Sequence, residues 1–192
     1  MKTASLLAVA AFAAVTTLHA APTSAAPPKS LATDLKGDLV ALDGKKMKRF
    51  DDTKLADTKY VAVYYSAHWC PPCRTFTPEL VKWYNATKPA NPHFELIFVS
   101  SDRSEKDMES YMAGEQMPWP ALKFIKKQTD KTLRPHAGRG IPCLVLLDAT
   151  GKVLSHSYEG STYVGPTKVM RDIDATLKAN PATAAATLSA KP

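Results

Sequence analysis

Trp69-Cys70-Pro71-Pro72-Cys73-Arg74 stands between a hydrophobic run and a helical pattern. The run, Tyr60 to Ser66, is rich in β-branched and aromatic residues and predicts a buried strand. From Pro71 to Thr87 the apolar positions recur at helical spacing, which predicts a helix. A strand that leads into a CxxC motif at the start of a helix is typical of a thiol–disulfide redox site.

Thiol–disulfide exchange requires a thiolate, and the predicted position of Cys70 favours one. Unpaired N–H groups and the positive end of the helix dipole lie at a helix N-terminus, so we expect the pKa of Cys70 to be below that of a free thiol. Cys73, one helical turn further on, is predicted to resolve the mixed disulfide and to form the Cys70–Cys73 disulfide. Pro71 and Pro72 suit the first helical positions because they lack the N–H that has no partner there.

Three neighbours of the cysteines are further candidates. His68 either adds pH-dependent charge near Cys70 or is a solvated surface residue, and the surface interpretation is favoured. Trp69 forms part of a docking surface or fills the core, and docking is favoured. Arg74 is a candidate modulator because it follows Cys73 directly.

A metal site and an inert disulfide are the alternatives to redox chemistry. Zinc would require a second ligand pair, but the sequence outside the predicted signal segment adds only Cys143 and histidines without ligand spacing, namely His68, His93, His136 and His156. A bridge across a two-residue loop stabilises a fold only slightly. We therefore expect no metal and no cofactor, since the cysteine pair itself carries the electrons.

The ends of the chain predict export. Lys2 precedes the charge-free apolar residues 6–18, which are too short for a membrane span, so residues 1–20 are predicted to be a secretory signal peptide. Residues 21–30 are predicted to be a flexible linker and residues 180–192 a disordered tail, because both are low in complexity. One domain remains, over residues 31–179. We expect a periplasmic protein of a bacterial envelope that is not embedded in the membrane.

The composition and the distribution of charge limit the kinds of partner that we expect. The formal net charge is +7, but the basic residues are scattered over the sequence, which argues against a nucleic-acid groove. The hydrophobic content of 45% is ordinary for a globular protein. We expect a monomer that acts on protein or small-molecule disulfides and dithiols.

The order of the predicted elements indicates an α/β fold. Strands are predicted over residues 38–42, 47–50, 60–66, 94–99, 144–147 and 153–158, and helices over residues 71–87, 104–113 and 166–178. Ser104 is the predicted N-cap of the second helix and Gly114 its stop, while Gly151 suits a turn that requires positive φ. This order predicts a thioredoxin-like fold, in which a central mixed β-sheet has helices on both faces.

Three blocks of the sequence resemble the tryparedoxin and nucleoredoxin branch of the thioredoxin superfamily. The first is residues 69–74 with Phe76-Thr77-Pro78, the second is Ser100-Ser101-Asp102 with residues 117–121, and the third is residues 140–148. The resemblance covers residues 35–178. It implies that the Ile141–Pro142 bond is cis and faces the CxxC, which leaves the backbone of Ile141 free to pair with an extended substrate segment.

Three features depart from what the resemblance implies, and one is that Pro120 and Lys123 stand where the branch usually has apolar residues. Ordinary thioredoxins carry a buried aspartate where this chain has Tyr64, so the proton acceptor for Cys73 is open between water, His68 and the Tyr64 hydroxyl. Cys143 stands where a threonine is usual. It either joins the redox cycle or is an inert core residue, and the inert interpretation is favoured.

The resemblance implies a thiol–disulfide oxidoreductase that reduces or isomerises protein disulfides, and the predicted signal peptide implies that it is exported. We expect it to receive electrons from a membrane or soluble donor. A disulfide oxidase would use the same residues, because the direction of exchange depends on the reduction potential. A protein that handles metals or haem apoproteins is the alternative from another class.

Overall fold

The computed structural model describes residues 30–182. The predicted signal peptide, the linker over residues 21–29 and the tail from residue 183 lie outside the described residues and stay predictions. Ser30, the last residue of the predicted linker, is the N-cap of the first helix, and its side chain accepts the N–H of Thr33. Within residues 30–182, no helix combines the length and apolarity needed to cross a membrane.

The elements of the described region follow the predicted order with three additions. The strands are β1 (Leu39–Asp43), β2 (Lys46–Arg49), β3 (Tyr60–Ser66), β4 (Phe94–Ser100), β5 (Ala121–Leu122), β6 (Cys143–Asp148), β7 (Val153–His156), β8 (Tyr158–Glu159) and β9 (Thr162–Tyr163). The α-helices are α1 (Leu31–Asp34), α2 (Pro71–Thr87), α3 (Glu105–Gly114) and α4 (Pro166–Ala179). The three elements that the sequence did not predict are α1, β5 and β9.

Seven strands form one mixed sheet in the order β2-β1-β5-β4-β3-β6-β7. The central strand β3 is parallel to β4 and antiparallel to β6. The pairing with β6 sets Tyr65 opposite Cys143, so the start of β6 lies at the same end of the sheet as the CxxC motif. The strands β8 and β9 form a separate hairpin.

The two faces of the sheet are covered differently. One core contains apolar side chains of α2, α3 and α4, among them Leu80, Met108 and Ile173. The other contains Leu31 of α1, Leu55 of a 3-10 helix and Leu133 of a long loop. The predicted mixed sheet flanked by helices is confirmed, and the three long helices share one face. For α2 and α3 the reason is that β3-α2-β4 and β4-α3-β5 are parallel crossovers that step in the same direction.

The prediction that Gly114 stops α3 is wrong. Gly114 is the last helical residue, and the left-handed residue is Gln116, with a φ of 52°. The N–H of Met117 donates to Met112 O and that of Gln116 to Ala113 O, which is the Schellman arrangement. Met112 and Met117 both lie in the core, so burial of these side chains placed the left-handed residue two positions after Gly114.

The predicted hairpin strand over residues 153–158 is interrupted at Ser157. The Ser157 hydroxyl is buried, donates to Leu144 O and accepts from Leu144 N. The backbone N–H of Ser157 also donates to Leu144 O at 3.0 Å, so the side chain replaces only the Ser157 carbonyl as the acceptor of Leu144 N–H. The Ser157 carbonyl accepts from Val164 and Gly165 instead, and the chain continues in the β8–β9 hairpin. The predicted turn after β6 is confirmed, with Gly151 at a φ of 88°.

Candidate active site

Cys70 is the N-cap of α2 and follows the end of β3 by four residues. Its N–H bonds to Ala67 O at 3.2 Å in a tight turn, and its sulfur accepts the N–H of Cys73 at 3.3 Å. Pro71 and Pro72 occupy the first two helical positions and have no N–H. The N–H of Cys73 is therefore the first free donor of the helix, and it is directed at the sulfur on which a thiolate charge would develop.

The two cysteines form the disulfide that the sequence analysis predicted. Cys70 and Cys73 are bonded, with their Cα atoms 5.2 Å apart. Cys70 is 3% exposed and Cys73 is fully buried. An attacking partner can therefore reach the Cys70 sulfur more readily than the Cys73 sulfur, which agrees with the roles predicted for the two thiols.

Ile141 and Pro142 form the wall opposite Cys70. Their peptide bond is cis, as the resemblance implies, and Ile141 O lies 3.7 Å from the Cys70 sulfur. In the reduced form a Cys70 thiol could donate to this carbonyl. The hydroxyl of Tyr163, on β9, donates to Pro142 O at 2.9 Å and so links the β8–β9 hairpin to this wall. No sequence signal indicated this contact, because the hairpin that carries Tyr163 was not predicted.

Trp69 and His68 lie on the surface beside the disulfide. The Trp69 side chain is 52% exposed, so the core-filling alternative is wrong for this residue. Its indole N–H donates to Ser101 O at 3.2 Å, which orients the ring. His68 is anchored through its backbone N–H to Asp102 Oδ1, and its ring packs on Tyr111 at 5.6 Å between centroids. Pro71, Pro72 and Arg74 are also exposed, which leaves an open rim around the buried cysteines.

A buried network of hydroxyl groups lies below Cys73. Thr77 Oγ1 donates to Cys73 O at 2.8 Å. The hydroxyls of Tyr64 and Tyr111 lie 2.8 and 2.6 Å from Thr77 Oγ1. The Tyr111 hydroxyl also contacts Ser66 Oγ at 3.1 Å. Since Thr77 donates its only proton to Cys73, both tyrosines donate to Thr77 and Ser66 donates to Tyr111. The network fixes the backbone of the resolving cysteine.

The network also bears on the proton acceptor for Cys73. Burial raises the pKa of the Tyr64 hydroxyl far above its ordinary value, and burial likewise raises the pKa of Tyr111. Both groups therefore stay protonated at physiological pH, and Tyr64 is a hydrogen-bond donor rather than a base. Water and His68 are the acceptors that stay open among the three that the sequence analysis considered.

The network was only partly accessible from the sequence. Thr77 could have been found, because it lies four residues after Cys73 on the predicted helix and so shares its face. Ser66 lies at the end of β3 and Tyr111 lies in α3. The two residues are brought together only because β4 pairs with β3 and α3 follows β4.

Cys143 lies away from the disulfide, on the other face of the sheet. Its side chain is fully buried in the core that contains Val145 and Tyr65, whereas α2 packs on the opposite core. Burial raises the pKa of the Cys143 thiol. Gly138 packs closely against it, because an added Cβ there would lie 3.0 Å from the Cys143 sulfur. This placement favours the inert interpretation.

Metal ligands show no clustering in the part of the chain that the structure describes. No group of three or more His, Cys, Asp or Glu side chains within residues 30–182 is arranged to hold a metal ion. The chemistry that the described site supports is that of its cysteine pair.

Comparison with known proteins defines the class. A thioredoxin-like family model matches residues 57–153, which include β3, the cysteine pair and Pro142. This match covers half of the chain, and the chain belongs to the thioredoxin-like family. The structure agrees with it, since the mixed sheet, the CxxC at the start of α2 and the cis proline are the features of that class.

The relatives narrow the class to nucleoredoxins and tryparedoxins. Human nucleoredoxin is 36% identical over 148 residues, which cover 77% of this chain and 31% of that protein. The Trypanosoma brucei tryparedoxin sequence is 40% identical over 98 residues, which cover 50% of this chain and 66% of the relative. The solved T. brucei tryparedoxin structure has a TM-score of 0.56 and 30% identity, and the match covers 79% of this chain and 98% of that one.

The chain thus belongs to the thioredoxin-like family, and the domain that carries its CxxC pair is of the nucleoredoxin and tryparedoxin type. The chain spans about a third of the length of the nucleoredoxins that it matches, 31% for the human protein.

Proposed function

We propose that this protein reduces or isomerises disulfide bonds in protein substrates through Cys70 and Cys73. The observation that carries the proposal is the placement of the Cys70 sulfur. It lies at the N-terminus of α2, accepts the first free N–H of the helix, and faces the Ile141 carbonyl at 3.7 Å. A substrate segment that pairs with the Ile141 backbone would present its disulfide to this sulfur.

The exchange proceeds in two balanced steps. The Cys70 thiolate attacks one sulfur of the substrate disulfide, a mixed disulfide forms, and the second substrate sulfur leaves as a thiolate. Cys73 then gives up its proton to an acceptor and attacks the Cys70 sulfur. The mixed disulfide breaks, the first substrate sulfur leaves as a thiolate, and the Cys70–Cys73 disulfide forms. Two electrons pass to the substrate, and a dithiol donor must return two electrons to the protein.

Reduction of insulin disulfides by dithiothreitol tests the activity. The wild-type protein should accelerate the reaction, and Cys70→Ala should remove the acceleration. Cys73→Ser should retain substrates as mixed disulfides on Cys70, and Cys70→Ser is the matched control that should retain none. Equal rates for wild type and Cys70→Ala, or the same proteins retained by both serine variants, would contradict the proposal.

The direction of exchange is a separate part of the proposal. Equilibration with glutathione buffers gives the reduction potential of the Cys70–Cys73 pair. A potential more negative than about −200 mV supports a reductase, whereas one near about −120 mV supports an oxidase. The electron donor is proposed to be a membrane or soluble dithiol protein.

We place the protein in a bacterial envelope as part of this proposal. The support is the charged start and apolar stretch of residues 1–20, a pattern typical of a secretory signal. Fractionation of cells that express the full chain, with N-terminal sequencing of the product, tests the placement. Recovery of the chain in the cytoplasm with residues 1–20 intact would contradict it.

A further inference from the structure

A basic segment leads into the wall of the active site. Residues 123–140, between β5 and the cis proline, contain six lysines and arginines and one aspartate, although the chain as a whole carries only +7. The basic residues are scattered in the sequence because they are spaced along a loop. The fold brings part of this loop beside the redox site.

A pocket of about 250 Å³ gathers two of these charges next to Trp69. Lys127 and Arg134 line it together with Ser100, Ser101, Gln128, Tyr65, Val99 and Ala137. Within residues 30–182, no acidic side chain lines this pocket. The pocket adjoins the CxxC, because the carbonyl of its Ser101 accepts the indole N–H of Trp69, which precedes Cys70.

The carboxylates near this loop are already engaged. Asp102 is buried and accepts from the backbone N–H of His68 and from the Ser100 hydroxyl. Asp130 accepts from the backbone N–H groups of Leu133 and Arg134. Neither Asp102 nor Asp130 forms an ion pair with a lysine or arginine in the described part of the chain. Asp38 pairs with Lys126 at 3.0 Å, so a direct contact neutralises that one charge of the loop but neither of its arginines.

Two arginines are free to meet a partner. Arg134, in the pocket, and Arg139, two residues before Ile141, are exposed, and their side chains form no ion pair or hydrogen bond with residues 30–182. Lys127 differs, because its ammonium donates to Asp102 O and lies over the Phe124 ring at 4.0 Å. A substrate segment that pairs with the Ile141 backbone would pass Arg139. A substrate residue a few positions away from the reactive substrate cysteine could then place its side chain in the pocket.

We propose that this surface, formed by Arg134, Arg139 and the pocket, selects disulfide substrates in which acidic residues flank the reactive cysteine. The inference rests on the proposed exchange at Cys70. Guanidinium groups bind carboxylates with paired hydrogen bonds, and charges at the rim of a docking surface act mainly on the rate of association. The partner is therefore an acidic polypeptide segment.

Disulfide-cyclised peptides that differ only in the residues outside their cysteines test this selection. Aspartate, serine and lysine flanks are compared by mixing each peptide with pre-reduced protein, quenching with acid and separating reduced from oxidised peptide. The wild-type protein should reduce the aspartate peptide about fivefold faster than the serine peptide. This advantage should shrink in about 0.5 M salt, because exposed charges are screened.

The variant Arg134→Gln with Arg139→Gln should react equally with the aspartate and serine peptides and should keep the wild-type rate with serine. Lys131→Gln is the matched control. Lys131 belongs to the same loop but lies with Thr150 and Gly151, at the end of β6 remote from Cys143 and the CxxC. This control should keep the advantage.

Two results would overturn the inference. One is that the wild type reduces the three peptides at equal rates, in which case the proposed function would stand. The other is that Lys131→Gln loses the advantage as fully as the arginine variant, which would assign the effect to net charge. Failure of the wild-type protein to reduce any of the three peptides would instead contradict the proposed function itself.

Discussion

Cys70 and Cys143 are both hidden from solvent, with exposures of 3% and 0%, but their surroundings differ. Cys70 lies at the end of a helix, accepts the Cys73 N–H, and has an open rim of exposed residues around it. Cys143 lies inside a packed apolar core between Tyr65 and Val145. If Cys70 attacks and Cys143 is inert, as we propose, burial alone does not separate the two kinds of cysteine. The groups directed at the sulfur do so.

The largest expected difference between the two cysteines is in alkylation. In the reduced native protein, iodoacetamide should label Cys70 at least about a hundredfold faster than Cys143, because alkylation requires an accessible thiolate. Burial raises the pKa of the Cys143 thiol, so a smaller fraction of it is thiolate at any pH below that value. Its labelling should therefore keep rising as the pH is raised from about 7 to about 9.

Mass spectrometry of peptides from timed samples measures these alkylation rates. The control is the same labelling in denaturant, where the two cysteines should react at similar rates because both are then solvated. Equal rates in the native protein would contradict the contrast between the two environments.

The next effect tests the polar support of the reactive side. Thr77→Val replaces the hydroxyl by a methyl group and leaves Tyr64 and Tyr111 without their acceptor. We expect the free energy of unfolding to fall by about 2–3 kcal/mol, because buried hydroxyls lose their partner. Urea unfolding of the oxidised protein measures this change.

Thr77→Ser is the matched control for the network, since it keeps the hydroxyl and removes only a methyl group. It should cost about 1 kcal/mol. If the valine variant is as stable as the serine variant, the network contributes nothing measurable to the reactive side.

The smallest expected effect is on activity after substitution on the inert side. Cys143→Ala should keep insulin reduction within about twofold of wild type and lower the free energy of unfolding by about 1 kcal/mol, because it removes a buried sulfur from a packed core. Insulin turbidity and urea unfolding of the same preparation measure both quantities. A loss of activity of about tenfold or more at unchanged stability would mean that three cysteines take part.

The sequence predicted well the elements that depend on neighbouring residues. β3 and α2 have the predicted bounds, because alternation, helical spacing and the two prolines act locally. The glycine signal at Gly114 gave the wrong left-handed residue at the end of α3. The burial of Met117 outweighed the preference of glycine for that position. The two-residue β5 had no pattern of its own, and it exists because β1 and β4 lie on either side of it.

The sequence by itself determined the cysteine pair and its place at the start of a helix, whereas the proline opposite the pair was implied by the family resemblance. The hydrogen bond from Cys73 to Cys70 spans three residues, so local geometry is enough to specify it. Tertiary structure decided that Cys143 faces away, that Tyr111 meets Thr77 across 34 residues of sequence, and that Arg134 lies near Trp69. These contacts depend on strand order and register, which arise only when the whole chain packs.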